Sequence, residues 1–150
     1  MQVNGINVTG FQIGAFVKHN RLKELTLHDN IISLPDRLFS HALQFEKLNH
    51  TEQITTIGTG CFTYTSIKEI NLPNLQTSKM GAFANASYLS KINIGNYITT
   101  LPEQMFVTCI ALASVEGGAA VTSVGKKCFS QTRNLKTLPL LSNTNLTLGD

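Results

Sequence analysis

The chain has 150 residues and a formal net charge of +3, and only 14% of its residues are charged, against roughly 25% in an average soluble domain. Its two small basic clusters are typical of solvated faces, and no stretch approaches the roughly 20 apolar residues of a membrane span. The sequence therefore predicts neither nucleic-acid binding nor membrane insertion of this segment.

Phenylalanine recurs at a nearly fixed interval and defines six repeats, centred on Phe16, Phe39, Phe62, Phe83, Phe106 and Phe129. Four of the five intervals are equal, at about 23 residues, and the one between Phe62 and Phe83 is shorter by two. A period of this size predicts a solenoid, in which each repeat forms one turn and residues one period apart become stacked neighbours. We therefore expect a buried spine of phenylalanines.

Further apolar columns precede each phenylalanine. Eight residues earlier stand Val8, Ile31, Ile54, Leu75, Ile98 and Val121. Five residues earlier stand Phe11, Leu34, Ile57, Ser78, Leu101 and Val124. Only Ser78 breaks this second column. Directly before the phenylalanines stand Ala15, Leu38, Cys61, Ala82, Met105 and Cys128.

A strand pattern follows each phenylalanine. The last part of each repeat alternates apolar and polar residues with a period of two, which predicts a short strand with one buried face. Its two inward positions are Leu25 and Leu27, Leu48 and His50, Ile70 and Leu72, Ile92 and Ile94, Val115 and Gly117, then Leu138 and Leu140. Because equivalent strands recur once in each repeat, we expect them to lie side by side in a parallel sheet.

Two segments identify a family resemblance. ITTIGTGCFTYTSIKEINLP and VTSVGKKCFSQTRNLKTLPL resemble the leucine-rich repeats of the BspA class, also called the Treponema pallidum type. The family unit runs V-T-x-I-G-x-x-A-F-x-x-C-x-x-L-x-x-I-x-L-P, and the resemblance covers about residues 8 to 150. It implies a leucine-rich repeat solenoid of about six stacked 23-residue repeats. A parallel sheet is then expected on one face, with short helices, turns or a second extended wall opposite.

The chain is expected to form a single repeat array over residues 1–150. Its last residues, NTNLTLGD, open a further repeat with Leu148 and Gly149 in the positions of Val124 and Gly125, and no polar capping unit is evident. We therefore expect an internal or terminal segment of a longer protein, with uncapped repeats that favour end-to-end stacking. The alternative is a full-length small protein.

The short interval between Phe62 and Phe83 is the one irregularity. It coincides with Ile67, which arrives one residue early, and with Ser78 and Lys79 in positions that expect an apolar residue and a glycine. Pro35 and Pro102 replace the same glycine, which Gly58 and Gly125 retain in other repeats. We expect the stack to be distorted between Phe62 and Phe83.

Cysteine and histidine give no sign of a reactive or metal site. Cys61, Cys109 and Cys128 occupy inward columns and are expected to be free core residues. The pairs His28 with His50 and His19 with His41 are each separated by nearly one repeat. Each pair is one column out of register, and no acid or cysteine completes a ligand set. His28 is expected to point outward and His50 inward.

Catalytic motifs are also missing. The sequence holds no nucleophile elbow, phosphate loop or paired acid motif, and its nine acidic residues are scattered. It therefore predicts no enzyme and no cofactor. Four N-glycosylation sequons, at Asn7, Asn49, Asn85 and Asn145, lean towards an exported eukaryotic protein.

The outward face of the predicted sheet is the candidate binding surface. Its first column holds Glu24, Lys47, Glu69, Lys91, Ser114 and Thr137, and its second holds Thr26, Asn49, Asn71, Asn93, Glu116 and Pro139. Alternating charges on adjacent strands stabilise register, and consecutive asparagines bond amide to amide. The candidate binding residues are Glu24, Thr26, Lys47, Asn49, Glu69, Asn71, Lys91, Asn93, Ser114 and Glu116. On the opposite wall, threonines and serines indicate a second line of extended backbone.

These patterns favour a non-enzymatic recognition module that binds a protein or a glycan across its sheet. The family resemblance implies a cell-surface or extracellular protein that adheres to host matrix or to another cell. The alternative is a structural spacer or assembly segment of a larger repeat protein, without a ligand of its own. A binding face should carry exposed aromatic residues, whereas Tyr64, Tyr88 and Tyr97 lie outside the strand columns.

Overall fold

Short extended segments one period apart pair in parallel, so the chain winds into a β-solenoid. The computed structural model describes residues 9–138 in full and the backbone of three further strand segments. The strands are β1 (Gln2–Val3), β2 (Ile6–Asn7), β3 (Glu24–Thr26), β4 (Ser33–Leu34), β5 (Lys47–Asn49), β6 (Thr56–Ile57), β7 (Glu69–Asn71), β8 (Thr77–Ser78), β9 (Lys91–Asn93), β10 (Thr100–Leu101), β11 (Ser114–Glu116), β12 (Ser123–Val124) and β13 (Thr147–Leu148). Predicted positions at Val8, Pro139, Leu140, Asn145 and Gly149 lie outside the described residues, as do the side chains of Asn7 and Leu148.

The long wall consists of the three-residue strands β3, β5, β7, β9 and β11. Its register matches the predicted columns, because Glu24 pairs with Lys47 and Glu69 pairs with Lys91. Ser114 continues the same column next to Lys91, and Thr137 joins Ser114 through an isolated bridge. The period of the phenylalanines therefore predicted the strand pairs that form on this wall, whereas the predicted neighbours Lys47 and Glu69 lie on strands that do not pair.

The short wall consists of the two-residue strands β4, β6, β8, β10, β12 and β13, and it confirms the second line of extended backbone. The hydroxyl of Thr55 donates to the carbonyl oxygen of Ile32 over 3.3 Å, and that of Thr122 donates to Thr99 over 3.4 Å. Val124 pairs with Leu148, as the sequence predicted. Turns and this second wall lie opposite the long wall, and the described residues include no helix, so nothing there crosses a membrane as a helix.

A third wall, which we call the turn wall, consists of the five residues centred on each phenylalanine of the spine, such as Gly14 to Lys18 around Phe16. Two residues before and two residues after the ring, the backbone adopts a positive φ in every repeat. The earlier positions are Gly14, Arg37, Gly60, Gly81, Gln104 and Lys127, and the later ones are Lys18, His41, Tyr64, Asn85, Thr108 and Gln131. This conformation was not predicted from the sequence.

Hydrogen bonds explain why the turn wall is regular. In the five repeats from Phe16 to Phe106, the N–H groups of the phenylalanine and of its two positive-φ neighbours donate to carbonyls in the next repeat, at N to O distances of 2.7 to 3.3 Å. The N–H group directly after each phenylalanine closes a local turn, as Val17 does with Gly14. Three bonds thus join each pair of adjacent repeats from Phe16 to Phe129.

The phenylalanines stack as the predicted spine. Adjacent ring centroids lie 4.9 to 5.7 Å apart with interplanar angles of 2 to 21°. The four central rings are fully buried, whereas Phe16 and Phe129 at the ends are partly buried. The predicted distortion between Phe62 and Phe83 is absent from the spine, and that expectation was wrong for the rings.

The interruptions lie in the two β walls instead. Within the described residues, no ladder joins β5 to β7 in the long wall or β8 to β10 in the short wall. The first gap lies beside the repeat that is one residue shorter between Phe62 and Ile67. The second coincides with Pro102, which has no N–H to donate, whereas Gly58, Lys79 and Gly125 donate at this position.

His50 corrects a further prediction, since its side chain is exposed and not inward. Its backbone has a φ of 55°, which turns the imidazole away from an apolar position where its desolvation would be costly. Thr51 is buried in its place and its hydroxyl donates to the carbonyl of Asn71. In the neighbouring repeats a backbone N–H makes the equivalent bond, as Leu27 does to Asn49.

Candidate functional site

The ten candidate residues lie on the long wall, in β3, β5, β7, β9 and β11. The residues between them, Leu25, Leu48, Ile70, Ile92 and Val115, pack against or within the core. Because side chains alternate along a strand, the candidates all point to the outward face.

Of the predicted asparagine ladder, only the bond between Asn71 and Asn93 forms. Asn93 Nδ2 donates to Asn71 Oδ1 over 2.8 Å, and Asn93 Oδ1 accepts the N–H of Gly95 over 2.9 Å. Asn49 instead donates to the hydroxyl of Thr26 over 3.4 Å. The ladder therefore stops at the gap between β5 and β7.

The charges pair differently from the column prediction. Lys91 lies beside Glu69 in register, but its Nζ contacts Glu116 Oε1 at 2.8 Å, diagonally across to the other column. The hydrogen bond and the charge of Glu116 raise the pKa of Lys91, and Glu69 adds a smaller contribution. Both side chains of the pair are about half exposed, at 47% and 51%, so the pair adds little stability.

A groove of about 390 Å³ opens at the gap between β5 and β7. Seven candidates line it, namely Lys47, Asn49, Glu69, Asn71, Lys91, Asn93 and Glu116. Glu24, Thr26 and Ser114 lie on the same wall outside it. The groove is also lined by His50, Thr51 and Glu52, which were not predicted as site residues from the sequence. The available signal was a histidine in a position that expects an apolar residue.

A second cleft, of about 240 Å³, lies away from the strands, where the chain leaves the turn wall. Tyr64 and Tyr88 line it together with Leu43, and these three side chains are 45 to 61% exposed. The ring of Tyr64 lies 4.7 Å from that of His41. Exposed aromatic residues are thus present, but on a different face from the predicted site.

The described residues assemble no metal centre. No group of three His, Cys, Asp or Glu side chains among them is placed to hold a metal ion. All three cysteines are free and buried, and burial raises the pKa of the Cys109 and Cys128 thiols to about 12 and that of Cys61 further. The groove and the cleft therefore offer hydrogen bonds, charges and apolar contacts, which are means of binding.

Comparison with known proteins agrees with the repeat architecture. The family model of the BspA type leucine rich repeat region matches residues 5–110 and 35–148, with six copies. No curated protein matches the sequence.

Three solved structures share the fold. A leucine-rich repeat protein of Treponema pallidum is 15% identical with a TM-score of 0.68, over 90% of this chain and 75% of that one. One from Bacteroides ovatus is 20% identical with a TM-score of 0.63, over 86% of this chain. A leucine rich cell surface protein of Faecalibacterium prausnitzii is 20% identical with a TM-score of 0.56, over 77% of this chain. The chain spans only 39% and 41% of the last two proteins.

Proposed function

Because the chain belongs to the BspA type leucine-rich repeat family, we propose that it is a non-enzymatic recognition module that binds a protein or a glycan across the outward face of its long wall. The groove between β5 and β7 is the observation that supports this proposal. It gathers seven of the ten predicted residues around a depression of about 390 Å³.

The chemistry of the groove suits a polar ligand with charges of both signs. Lys47 and Lys91 stand among Glu52, Glu69 and Glu116, so cationic and anionic groups of a ligand both find a partner. Because these charges are exposed, they contribute more to specificity and to the rate of association than to affinity.

Asparagine side chains supply the uncharged contacts. The carboxamide of Asn71 accepts a bond from Asn93, and its own two N–H donors face the groove without a partner among the described residues. Such amides bond equally well to a peptide backbone or to sugar hydroxyls. The groove is therefore equipped for either class of ligand.

The proposed location is the cell surface or the extracellular space, with adhesion as the role. The similar protein of F. prausnitzii is described as a cell surface protein. On this proposal the partner is a host matrix component or another cell surface.

A binding screen against matrix proteins and glycans tests the proposal. For each ligand found, the variants Lys47→Ala, Glu69→Ala and Asn71→Ala should weaken binding by about tenfold or more, equivalent to about 1.4 kcal/mol. Glu103→Ala is the matched control, since Glu103 is exposed but lies off the long wall and outside the groove. It should leave affinity unchanged.

Two results oppose the proposal. Ligands whose affinity is the same for all four variants would place the site on another face. An array that binds nothing in the screen but assembles through its ends would favour the spacer function instead.

A further inference from the structure

We propose that the cleft between Tyr64 and Tyr88 is a second binding site, and that it takes a neutral oligosaccharide. This inference does not depend on the long-wall site, because the two sites share no residue.

The repeat architecture brings the residues of the cleft together. Tyr64 belongs to the third repeat and Asn85 to the fourth, and both follow their phenylalanine by two residues with positive φ. Tyr64 N–H donates to the carbonyl of Ala84, directly before Asn85. Ser66 donates to the carbonyl of Leu43 over 2.6 Å, which ties the second repeat to the third beside the cleft.

The aromatic rings fit the apolar face of a sugar. A pyranose ring presents a face of C–H groups, which packs on an aromatic ring, and an edge of hydroxyls. Tyr88 is 61% exposed and Tyr64 is 45% exposed, so their rings are open to such contact without any rearrangement of the core. The contact of Tyr64 with the His41 ring and its backbone bond hold it in place before a ligand arrives.

The polar lining fits the hydroxyl edge of a sugar. Every residue that lines the cleft is uncharged, which favours a neutral ligand over an anionic glycan or a charged peptide. The carboxamide of Asn85 is half-buried in the cleft, and no bond to it is found within residues 9–138. It offers two donors and one acceptor, a combination that sugar hydroxyls satisfy.

An apolar peptide side chain is a poorer occupant of the cleft. It would cover the Asn85 carboxamide without supplying a hydrogen bond, and burying an unpaired polar group is costly. A protein ligand anchored through such a side chain is therefore less favoured than a glycan.

The source of the sugar is open to a direct test, because Asn85, Ala86 and Ser87 also form a glycosylation sequon. Protein from a bacterial host carries no glycan at Asn85, so the cleft is free to bind a separate oligosaccharide. If protein from a eukaryotic host carries a glycan at Asn85 and no longer binds the added sugar, the sugar site includes Asn85.

The experiment is an NMR titration of the ¹⁵N-labelled bacterial protein with the methyl glycosides and trisaccharides of glucose, galactose and N-acetylglucosamine. Saturable shifts are expected at the amides of Asn85, Ser87 and Tyr88 with at least one series. Tyr88→Ala should weaken this binding by about tenfold or more, and Tyr88→Phe should retain it because the ring face remains. Tyr97→Ala is the matched control, since Tyr97 is 62% exposed but lies outside the cleft.

Three outcomes would overturn the inference. They are the absence of saturable shifts with every neutral sugar, equal affinity in Tyr88→Ala and Tyr97→Ala, and saturable binding of acetyl-Leu-Leu-amide with no sugar bound. None of them bears on the groove, whose variants carry changes at Lys47, Glu69 and Asn71.

Discussion

The rings of Phe62 and Phe83 stack 4.9 Å apart at an interplanar angle of 2°, closer and more nearly parallel than any other adjacent pair of the spine. Yet this pair is separated by the shortest interval between phenylalanines of the spine, two residues below the period. The turn wall explains the combination, because Phe62 N–H donates to the carbonyl of Ala82 over 2.8 Å and fixes the two rings one above the other. The segments that are shorter in this interval therefore lie outside the turn wall.

Removal of a central ring should cost far more stability than removal of a terminal one. Phe83 is fully buried between two rings, so Phe83→Ala should lower the free energy of unfolding by about 3–5 kcal/mol. Phe129 is only partly buried, and Phe129→Ala should cost less. Urea denaturation followed by circular dichroism measures both, and equal losses would contradict the stacked spine.

The Ser78 hydroxyl is buried without a partner in the described part of the chain. Ser78→Ala should therefore raise the free energy of unfolding by about 1 kcal/mol, since it removes an unsatisfied polar group. Thr65→Val provides the comparison, because the buried Thr65 hydroxyl donates to the Phe62 carbonyl over 2.9 Å. That change should be destabilising by about 1–3 kcal/mol. A loss of stability in Ser78→Ala would show that the hydroxyl has a partner.

Gly125 allows the short wall to pass close to the previous repeat. A Cβ at this position would lie 2.5 Å from the backbone nitrogen of Glu103 and 2.8 Å from the carbonyl carbon of Pro102. Gly125→Ala should therefore lower thermal stability, at a cost of about 1–3 kcal/mol. Gly10→Ala has open space around its Cβ and should stay within about 0.5 kcal/mol of the wild type. Thermal denaturation distinguishes the two, and equal melting temperatures would argue against this close approach.

The cysteines should be unreactive in the folded protein. Their raised pKa values keep the thiols protonated, and burial excludes the reagent, so dithionitrobenzoate at about pH 8 should modify them slowly until urea is added. Unfolded thiols ionise with a pKa of about 8.5. The unfolded state thus loses thiol protons first, so the contribution of the thiols to stability should be constant below that pH and fall above it. Rapid modification of a native thiol would contradict the burial of these side chains.

The sequence was sufficient for the periodic part of the fold. Columns read from the phenylalanine period gave the partners of Glu24 and Lys91 in the long wall and the pairing of Val124 with Leu148. Contacts within one column, such as Asn71 with Asn93, were also predicted. These features depend only on which residues share a position in successive repeats.

The remaining features depend on backbone conformation and on pairs that cross columns. The long side chain of Lys91 reaches Glu116 in the other column, and a shared column position does not predict such a diagonal contact. His50 faces outward because a positive φ costs less there than a buried imidazole. The positive φ values of the turn wall had one signal in the sequence, since glycine stands two residues before phenylalanine in three of the six repeats, at Gly14, Gly60 and Gly81.

The turn wall keeps its three bonds at every interface from Phe16 to Phe129, including those where a β ladder stops. The rise from one repeat to the next is therefore independent of how many residues connect the phenylalanine to the following strand. Beside the repeat that is one residue shorter between Phe62 and Ile67, the outer surface holds a groove while the spine of rings stays regular. A family built on such units can evolve new ligand surfaces through small insertions and deletions as well as through substitution.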